Sequence, residues 1–351
     1  MAVVGSVAVA SSVVVRWLLP VVIAAAASWA GWWFFAHQTV TLDPRLPGSD
    51  RPAGMAVVAR VNLMGSFTQG TGIPLVESEP HTWPGFRGSA GDNVARSNAL
   101  GTTFPPTGPR KVWSLPLGFG YAGPAVAEGR VYILDYDQKR QADALRCLSL
   151  ADGVEIWRRS YAVKVKFNHG MSRTVPAIGG GCVVTIGPKC HVLCVDARSG
   201  DFRWGIDLVR DVGTKEPPWY AGQCPLIDGN RVILAPAGPD VLLMAVDLGT
   251  GKPLWTTANT QGWSMTHSSV VKATLCGREQ FIYCGSGGVV GVDARDGQVL
   301  WQTNAWKINI ATVPTPIPCG NDRVFVCGGY NAGSAMLNMR EQGGKLEAAV
   351  Q

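Results

Sequence analysis

The chain has 351 residues, of which 46% are apolar and only 16% charged, enough to bury a sizeable core and too apolar for a disordered chain. A net charge of +6 without any Lys/Arg block argues against a nucleic-acid partner. The length admits two or three ordinary domains or one large repeat architecture, and 43 Gly with 23 Pro predict many turns.

Residues 1–16 read as an N-terminal tail. Trp17–Ala36 (WLLPVVIAAAASWAGWWFFA) is an uncharged run of 20 residues preceded by Arg16. At ~1.5 Å rise per residue such a run spans the ~30 Å hydrocarbon core of a bilayer. Trp17 stands at one end and Trp29, Trp32 and Trp33 near the other, as interfacial aromatic belts do. A cleaved signal peptide, cut near Ala27–Ala30, is the alternative; the Trp/Phe run after the small residues favours an uncleaved, single-pass transmembrane helix. Residues 37–82, punctuated by Pro44, Pro47, Pro52, Pro74 and Pro80, read as a linker with one expected strand at Met55–Leu63.

Beyond residue 83 a repeat organises the chain. Leu148–Trp157 (LSLADGVEIW), Val195–Trp204 (VDARSGDFRW), Val246–Trp255 (VDLGTGKPLW) and Val292–Trp301 (VDARDGQVLW) superpose without gaps. Gly153, Gly200, Gly251 and Gly297 each stand four residues before the Trp, and Asp196, Asp247 and Asp293 eight before it, with Ser149 in that place in the first copy. A looser copy ends at Trp113, and the successive Trp spacings are 44, 47, 51 and 46 residues. Upstream of the hairpins a Pro-led strand, a Gly turn and a β-rich strand recur, as in Pro124–Asp135, Pro225–Pro236 and Pro316–Gly328. Each period of about 47 residues thus holds four short strands, the length of one β-propeller blade. The Gly permits a turn with positive φ, the Asp bonds the amides of that turn, and the Trp buries a large ring between blades. The expected fold is all-β: a propeller of four-stranded blades over residues 83–351, following the transmembrane helix.

The xDxxxGxxLW hairpin at this spacing resembles the PQQ-like repeat β-propellers. Within that group the chain is similar to membrane-anchored bacterial proteins of the outer-membrane protein assembly factor B type, and Trp83–Gly88 (WPGFRG) resembles their propeller entry. The likeness covers residues 83–346. It implies a bacterial inner-membrane protein with its bulk in the periplasm and a binding or scaffolding role toward a protein partner, with envelope protein assembly as the setting. The alternatives are a quinoprotein-type oxidoreductase and an envelope ligand sensor. Propellers of this family close with seven or eight blades, whereas the 269 residues from Trp83 to Gln351 hold about 5.7 periods. Five to six blades are therefore expected, in a ring that lacks terminal ones; a shorter closed ring is the alternative.

The segments that lead into the first strand of each blade are expected to ring the mouth of the central channel. They carry Tyr121, His169, Arg173, Trp219, Tyr220, Gln223, Trp263, His267 and Thr312, aromatic and hydrogen-bonding groups suited to a ligand or partner surface. The competing reading is that they pack the channel and satisfy backbone groups. Relatives that use PQQ with calcium carry a vicinal Cys pair, calcium ligands and an Asp base. No adjacent Cys pair occurs here, and Asp211 and Glu216 are the nearest carboxylates, so neither cofactor nor catalytic residue is expected. Cys147 and Cys194 stand ten residues before a repeat Trp, where Ala245 and Gly291 stand in later copies, Cys284 and Cys327 stand where Ala235 does, and all four read as small core residues. Cys190, His191 and Cys194 lack a usual zinc spacing, and His191 points away from the two thiols in a strand, so no metal is expected. Gly118, Gly120 and Gly123 match GxGxxG but lead into Pro124 and a strand, which gives no phosphate-binding helix terminus.

Overall fold

A computed structural model describes residues 7–37, 60–75, 82–96, 103–166, 171–343 and 345–351, in two compact units, Met1–Ala59 and Arg60–Gln351. In the first unit, α1 (Val7–His37) is a 31-residue helix with Pro20 inside it. It contains the expected Trp17–Ala36 segment, starting ten residues earlier and ending one later. Its side chains are described from Pro20 to Ala36, and there Val21, Ile23, Trp29, Trp32 and Phe35 are exposed. Among the described residues no helix is long and apolar enough to cross a membrane, so the expected transmembrane span is not met within them.

The described residues of the second unit form five antiparallel sheets. The first holds β1 (Ser66–Gln69), β2 (Ala125–Ala127), β3 (Arg130–Asp137), β4 (Ala142–Ser149) and β5 (Glu155–Ala162), ordered β1-β5-β4-β3-β2. The second is the meander β6 (Ala177–Gly179), β7 (Cys182–Ile186), β8 (His191–Asp196) and β9 (Phe202–Asp207), followed by one helical turn, α2 (Leu208–Asp211). The third holds β10 (Leu226–Asp228), β11 (Arg231–Leu234), β12 (Val241–Asp247) and β13 (Pro253–Ala258), and the fourth β14 (Val271–Leu275), β15 (Arg278–Gly285), β16 (Gly288–Asp293) and β17 (Val299–Thr303). The fifth holds β18 (Ile317–Pro318), β19 (Arg323–Gly328), β20 (Gly333–Gln342) and β21 (Lys345–Val350). Sequential four-stranded meanders of this length are propeller blades. The short first strands β2, β6 and β10 lie side by side along the axis.

The expected strand Met55–Leu63 lies in part outside the described residues, and its described part, Arg60–Leu63, is not a strand. A strand forms instead at Ser66–Gln69, where β1 adds a fifth strand to the outer edge of the first sheet, Ser66 opposite Ser160 and Gln69 opposite Trp157. An outer strand exposes unpaired N–H and C=O groups, and β1 satisfies those of β5. The segment 66–75, read as linker, therefore belongs to the first blade.

The repeated Trp works across the gap between sheets. Trp157 donates its indole N–H to the Arg198 carbonyl at 3.0 Å, and Trp204 to that of Leu248 at 2.8 Å, each on the hairpin of the following sheet. Trp113, which lies in no strand, does the same to Leu150 at 2.9 Å. The turn glycines explain their own spacing twice over. Gly153, Gly200, Gly251 and Gly297 all have φ between 70° and 74°, which disfavours any Cβ. A Cβ at Gly153, Gly200 or Gly251 would also stand within 2.7 Å of the preceding repeat's indole, that of Trp113, Trp157 or Trp204, and Gly297 faces Trp255 in the same way. Position ten before each Trp is small because it lies directly across the hairpin: Cys147, Cys194, Ala245 and Gly291 pair with Trp157, Trp204, Trp255 and Trp301. Trp301 departs from the pattern. With only Gly291 opposite, its ring lies over its own sheet and donates to Gln280 Oε1 at 2.6 Å.

The repeated Asp residues cap their own turns. Asp196 Oδ1 accepts from the amides of Arg198 and Ser199, Asp247 Oδ1 from Thr250, and Asp293 Oδ1 from Arg295. Burial opposes ionisation of Asp196, but these amides and the Arg203 guanidinium outweigh it and hold the carboxyl at about 2, below its ordinary 3.8. The folded state thus binds a proton less readily than the unfolded chain, and the stabilisation is present above pH 4 and lost as pH falls toward 2. Denaturant melts of Asp196→Asn and the parent are expected to differ at pH 6 and to converge near pH 2.

Candidate functional site

The strand-entry segments do run side by side. Gly120 bridges Ser172, and the Tyr121 amide donates to the Ser172 carbonyl at 2.7 Å. The Cys224 amide donates to Ser269 Oγ at 3.0 Å, and the His267 amide to the Thr312 carbonyl at 3.0 Å. Where they meet, a cavity of about 350 Å³ is lined by Arg173, Trp219, Gly222, His267, Ala311, Val313 and Tyr330. Gly222 is required there, since a Cβ on it would stand 2.7 Å from the His267 ring. The Trp219 and His267 ring centroids are 6.1 Å apart at a tilt of 40°.

Of the nine predicted mouth residues, Arg173, Trp219 and His267 line this cavity, and Tyr121 stands exposed on the neighbouring segment. Four others serve the scaffold. Gln223 is fully buried, accepting from the Ala235 amide and donating to the Ala235 and Ser268 carbonyls. Tyr220 donates to the Lys166 carbonyl at 2.7 Å, and Thr312 bonds back to Ile308. Trp263 packs on Gly285 and Gly287, with its backbone held by Asn259. His169 lies outside the described residues. Burial pushes His267 below its ordinary value, the Arg173 charge adds to that, and a hydrogen bond to the Tyr220 backbone works the other way. Burial also lowers Arg173, against Tyr121 and Tyr220.

Behind the mouth lies a buried polar group that the sequence pattern hid. Asp143, on the wholly buried strand β4, accepts from Ser172 Oγ at 2.7 Å and Tyr161 Oη at 3.4 Å. Burial pushes its carboxyl up to about 7; the two hydroxyls pull the other way and the Asp135 carboxylate adds to the rise. Tyr161 in turn meets His191 edge to face at 5.4 Å, and His191 Nε2 is 3.7 Å from Asp207. Burial holds this imidazole below its ordinary value, so at neutral pH the contact is not an ion pair. Asp143 and Arg146 were discoverable as charged residues within ADALRCLS, a strand otherwise without charge.

A second cavity, about 460 Å³, lies on the axis between Pro84–Asp92 and the first strands of the second to fifth sheets. Trp83 pairs its backbone with Val126 in both directions, and the Pro84 carbonyl accepts from Ile178, so WPGFRG is tied to the first two blades. All nine cysteines are free; Cys147, Cys194 and Cys284 are buried, and Cys327 is half-buried. Cys190 Sγ faces Met265, Cys194 Sγ faces the Leu248 carbonyl, and His191 faces Tyr161, so the three do not converge. Among the described residues no group of three His, Cys, Asp or Glu side chains could hold a metal ion. The residues at the mouth do not fit a calcium-bound quinone. An indole and a guanidinium suit a flat anion, but among the described residues no carboxylate lines the cavity, and Asp211 is engaged by the amide of Asp207, the residue before α2.

Five serial meanders among the described residues, the first four joined to one another by Trp-on-Gly contacts, define a β-propeller of PQQ-type repeats. The chain belongs to the family described as outer membrane protein assembly factor BamB, whose model matches residues 141–350. Among solved structures it is similar to BamB from Moraxella catarrhalis, at 18% identity and a TM-score of 0.44, covering 65% of this chain and 61% of that one. It is also similar to quinohemoprotein alcohol dehydrogenase from Comamonas testosteroni, at 14% identity and a TM-score of 0.44, covering 74% and 59%. The chain thus spans about three fifths of the length of these two proteins. No curated protein sequence matches it.

Proposed function

We propose that this protein is a non-catalytic binding module that presents the channel mouth to a protein partner in envelope protein assembly. The observation that carries the reading is the convergence of Arg173, Trp219 and His267 in one cavity whose wall also holds exposed Val313 and Tyr330, with exposed Ile310 next in sequence to the lining residue Ala311. Isolated exposed apolar residues need no explanation, but several of them at a cation-bearing cavity are the composition of a recognition surface. Family membership supports the setting. The apolar side chains exposed along α1 support attachment to the bacterial inner membrane, with the propeller in the periplasm.

A photocrosslinking amino acid placed at Tyr330, at Tyr121 or at Val299 on the outer strand of the fourth blade tests this in membranes. The same discrete adduct is expected from the first two positions and none from Val299; equal labelling at all three, or none, overturns the reading. Attachment is checked separately. The chain is expected to stay with membranes through an alkaline wash and to be released when residues 1–37 are removed.

A further inference from the structure

We propose that the axial cavity is a second binding site, taking an extended segment of a partner polypeptide that pairs its main chain with Ile227 and an acidic side chain with Arg87. It shares no lining residue with the mouth cavity, so the two readings stand or fall separately.

The hairpin turns fix where the inner edge of each blade points its main chain. Two-residue turns with positive φ close β2–β3, β6–β7 and β10–β11, with Ala127 opposite Arg130, Gly179 opposite Cys182 and Asp228 opposite Arg231. Such a turn closes on a hydrogen-bonded pair, and bonding alternates along an antiparallel ladder. The residue before each closing pair, Val126, Ile178 or Ile227, therefore turns its N–H and C=O away from the second strand and toward the axis. In the first two blades these groups meet the WPGFRG segment. Val126 exchanges bonds with Trp83 in both directions at 2.8 Å, and the Ile178 amide donates to the Pro84 carbonyl at 2.7 Å. The segment then folds back, the Gly88 amide donating to the Gly85 carbonyl at 3.0 Å. It does not go on to Ile227, whose main chain takes no further partner among the described residues. The Ile227 side chain is committed sideways, against Gly179 of the preceding blade, where a Cβ would stand 2.9 Å from its Cγ2. Ile227 thus brings an unpaired donor and acceptor to a cavity of about 460 Å³, an ordinary size for a bound ligand.

Four charged side chains line that cavity. Asp92 is held by Arg96, and Asp228 by Arg231 and Lys272. The half-buried Arg87 guanidinium has no partner among the described residues. Its backbone sits at a left-handed φ of 67°, held by the Asn93 amide on its carbonyl at 2.9 Å and by the adjoining Gly88, which closes on the Trp83 ring. A partly buried guanidinium offers paired donors to a carboxylate, and such a pair gains strength away from bulk water. A small acid would satisfy Arg87 and leave Ile227 unpaired. A helix spends its main-chain groups on itself. An extended chain brings donor, acceptor and carboxylate together, continuing the row that Trp83 and Pro84 begin. Phe86 and Ile317, exposed on the same wall, suit β-branched neighbours of the acidic residue.

Hydrogen exchange and titration calorimetry on the full chain in detergent micelles test this with four probes: acetyl-Thr-Val-Asp-Val-Thr-amide, its Asn counterpart, its form N-methylated throughout, and succinate. The Asp peptide is expected to bind and to slow exchange of the Ile227 amide about 10-fold or more. The Asn peptide is expected to bind about 10- to 100-fold more weakly, as loss of a charge-assisted hydrogen bond implies. Arg87→Gln is expected to bring the two peptides level. Ile227→Pro, at an edge position whose N–H faces outward, is expected to weaken both and keep the preference for Asp. Equal binding of the Asp and Asn peptides to the parent, succinate or the N-methylated form binding as tightly as the Asp peptide, or silence from every peptide overturns the inference. An Ile227 amide already protected without peptide overturns it as well, since this chain or a second copy then fills the edge. Crosslinking at Tyr330 reports on the mouth alone, so loss of that adduct and loss of peptide binding at the axis are told apart.

Discussion

Trp157→Ala is expected to lower the unfolding free energy by about 3–5 kcal/mol, the range for deleting a fully buried large aromatic side chain. The residue has no exposed surface, its ring lies 6.0 Å from that of Tyr132, and its N–H serves the Arg198 carbonyl of the next blade. Removal opens a cavity between two sheets and orphans that carbonyl. Trp255 is the internal control: it is only half-buried and its indole nitrogen has no partner, so Trp255→Ala is expected to cost less. The partner substitution tests the interlock itself. Gly200→Ala places a Cβ 2.7 Å from the Trp157 ring at a φ of 74°, an expected cost of about 2–4 kcal/mol from overpacking and left-handed backbone together. In the Trp157→Ala background the clash with the indole disappears, the contact with Phe67 under the Arg159 guanidinium stays at 2.9 Å, and about 1–2 kcal/mol of backbone cost remains. Denaturant unfolding of the four proteins gives a double-mutant cycle. Strict additivity would mean that indole and turn do not touch.

The blade pattern was legible because its physics is local. A glycine at positive φ, an Asp over its own turn and a Trp four residues on act within one hairpin, so spacing along the chain reports them directly. The bulge between the Trp and the turn recurs at Cys147/Leu148, Cys194/Val195 and Ala245/Val246 for the same reason. The strand at Ser66–Gln69 was not legible. SFTQ is exposed along its length and makes its pairing with residues about ninety positions away, so no periodicity marks it. The mouth lay between these limits. Repeat registration identified the right segments, but not which side chains turn into the cavity: Arg173 and His267 do, whereas Gln223 and Thr312, as polar and each next to a cavity residue in sequence, turn inward to serve carbonyls. Tyr330, in the turn between β19 and β20, joins the site from a segment that leads into no first strand, which is why registration passed over it.

Asp143 ties the buried interior to that mouth and gives the second large effect. Its folded carboxyl titrates near 7 against an ordinary 3.8, so between these values the native state holds a proton that the unfolded chain has released. Stability from this group is therefore highest below pH 4 and falls as pH rises through about 7. Asp143→Asn keeps the size and removes the charge. Its stability relative to the parent is expected to rise from near zero at pH 4 to on the order of 3–4 kcal/mol at pH 8. Denaturant melts across that range check the slope; a difference that stays flat would mean the carboxyl is ionised throughout. The groups facing it are Ser172, Tyr161 and Asp135, none of them a cation, so ionisation finds no counter-charge there and must be met by water entering from the mouth side. Ser172 is the route, since its hydroxyl holds Asp143 while its carbonyl holds the Tyr121 amide. Exchange of the Tyr121 amide should therefore accelerate above pH 7 in the parent relative to Asp143→Asn, and identical protection in both proteins would uncouple the buried carboxyl from the mouth.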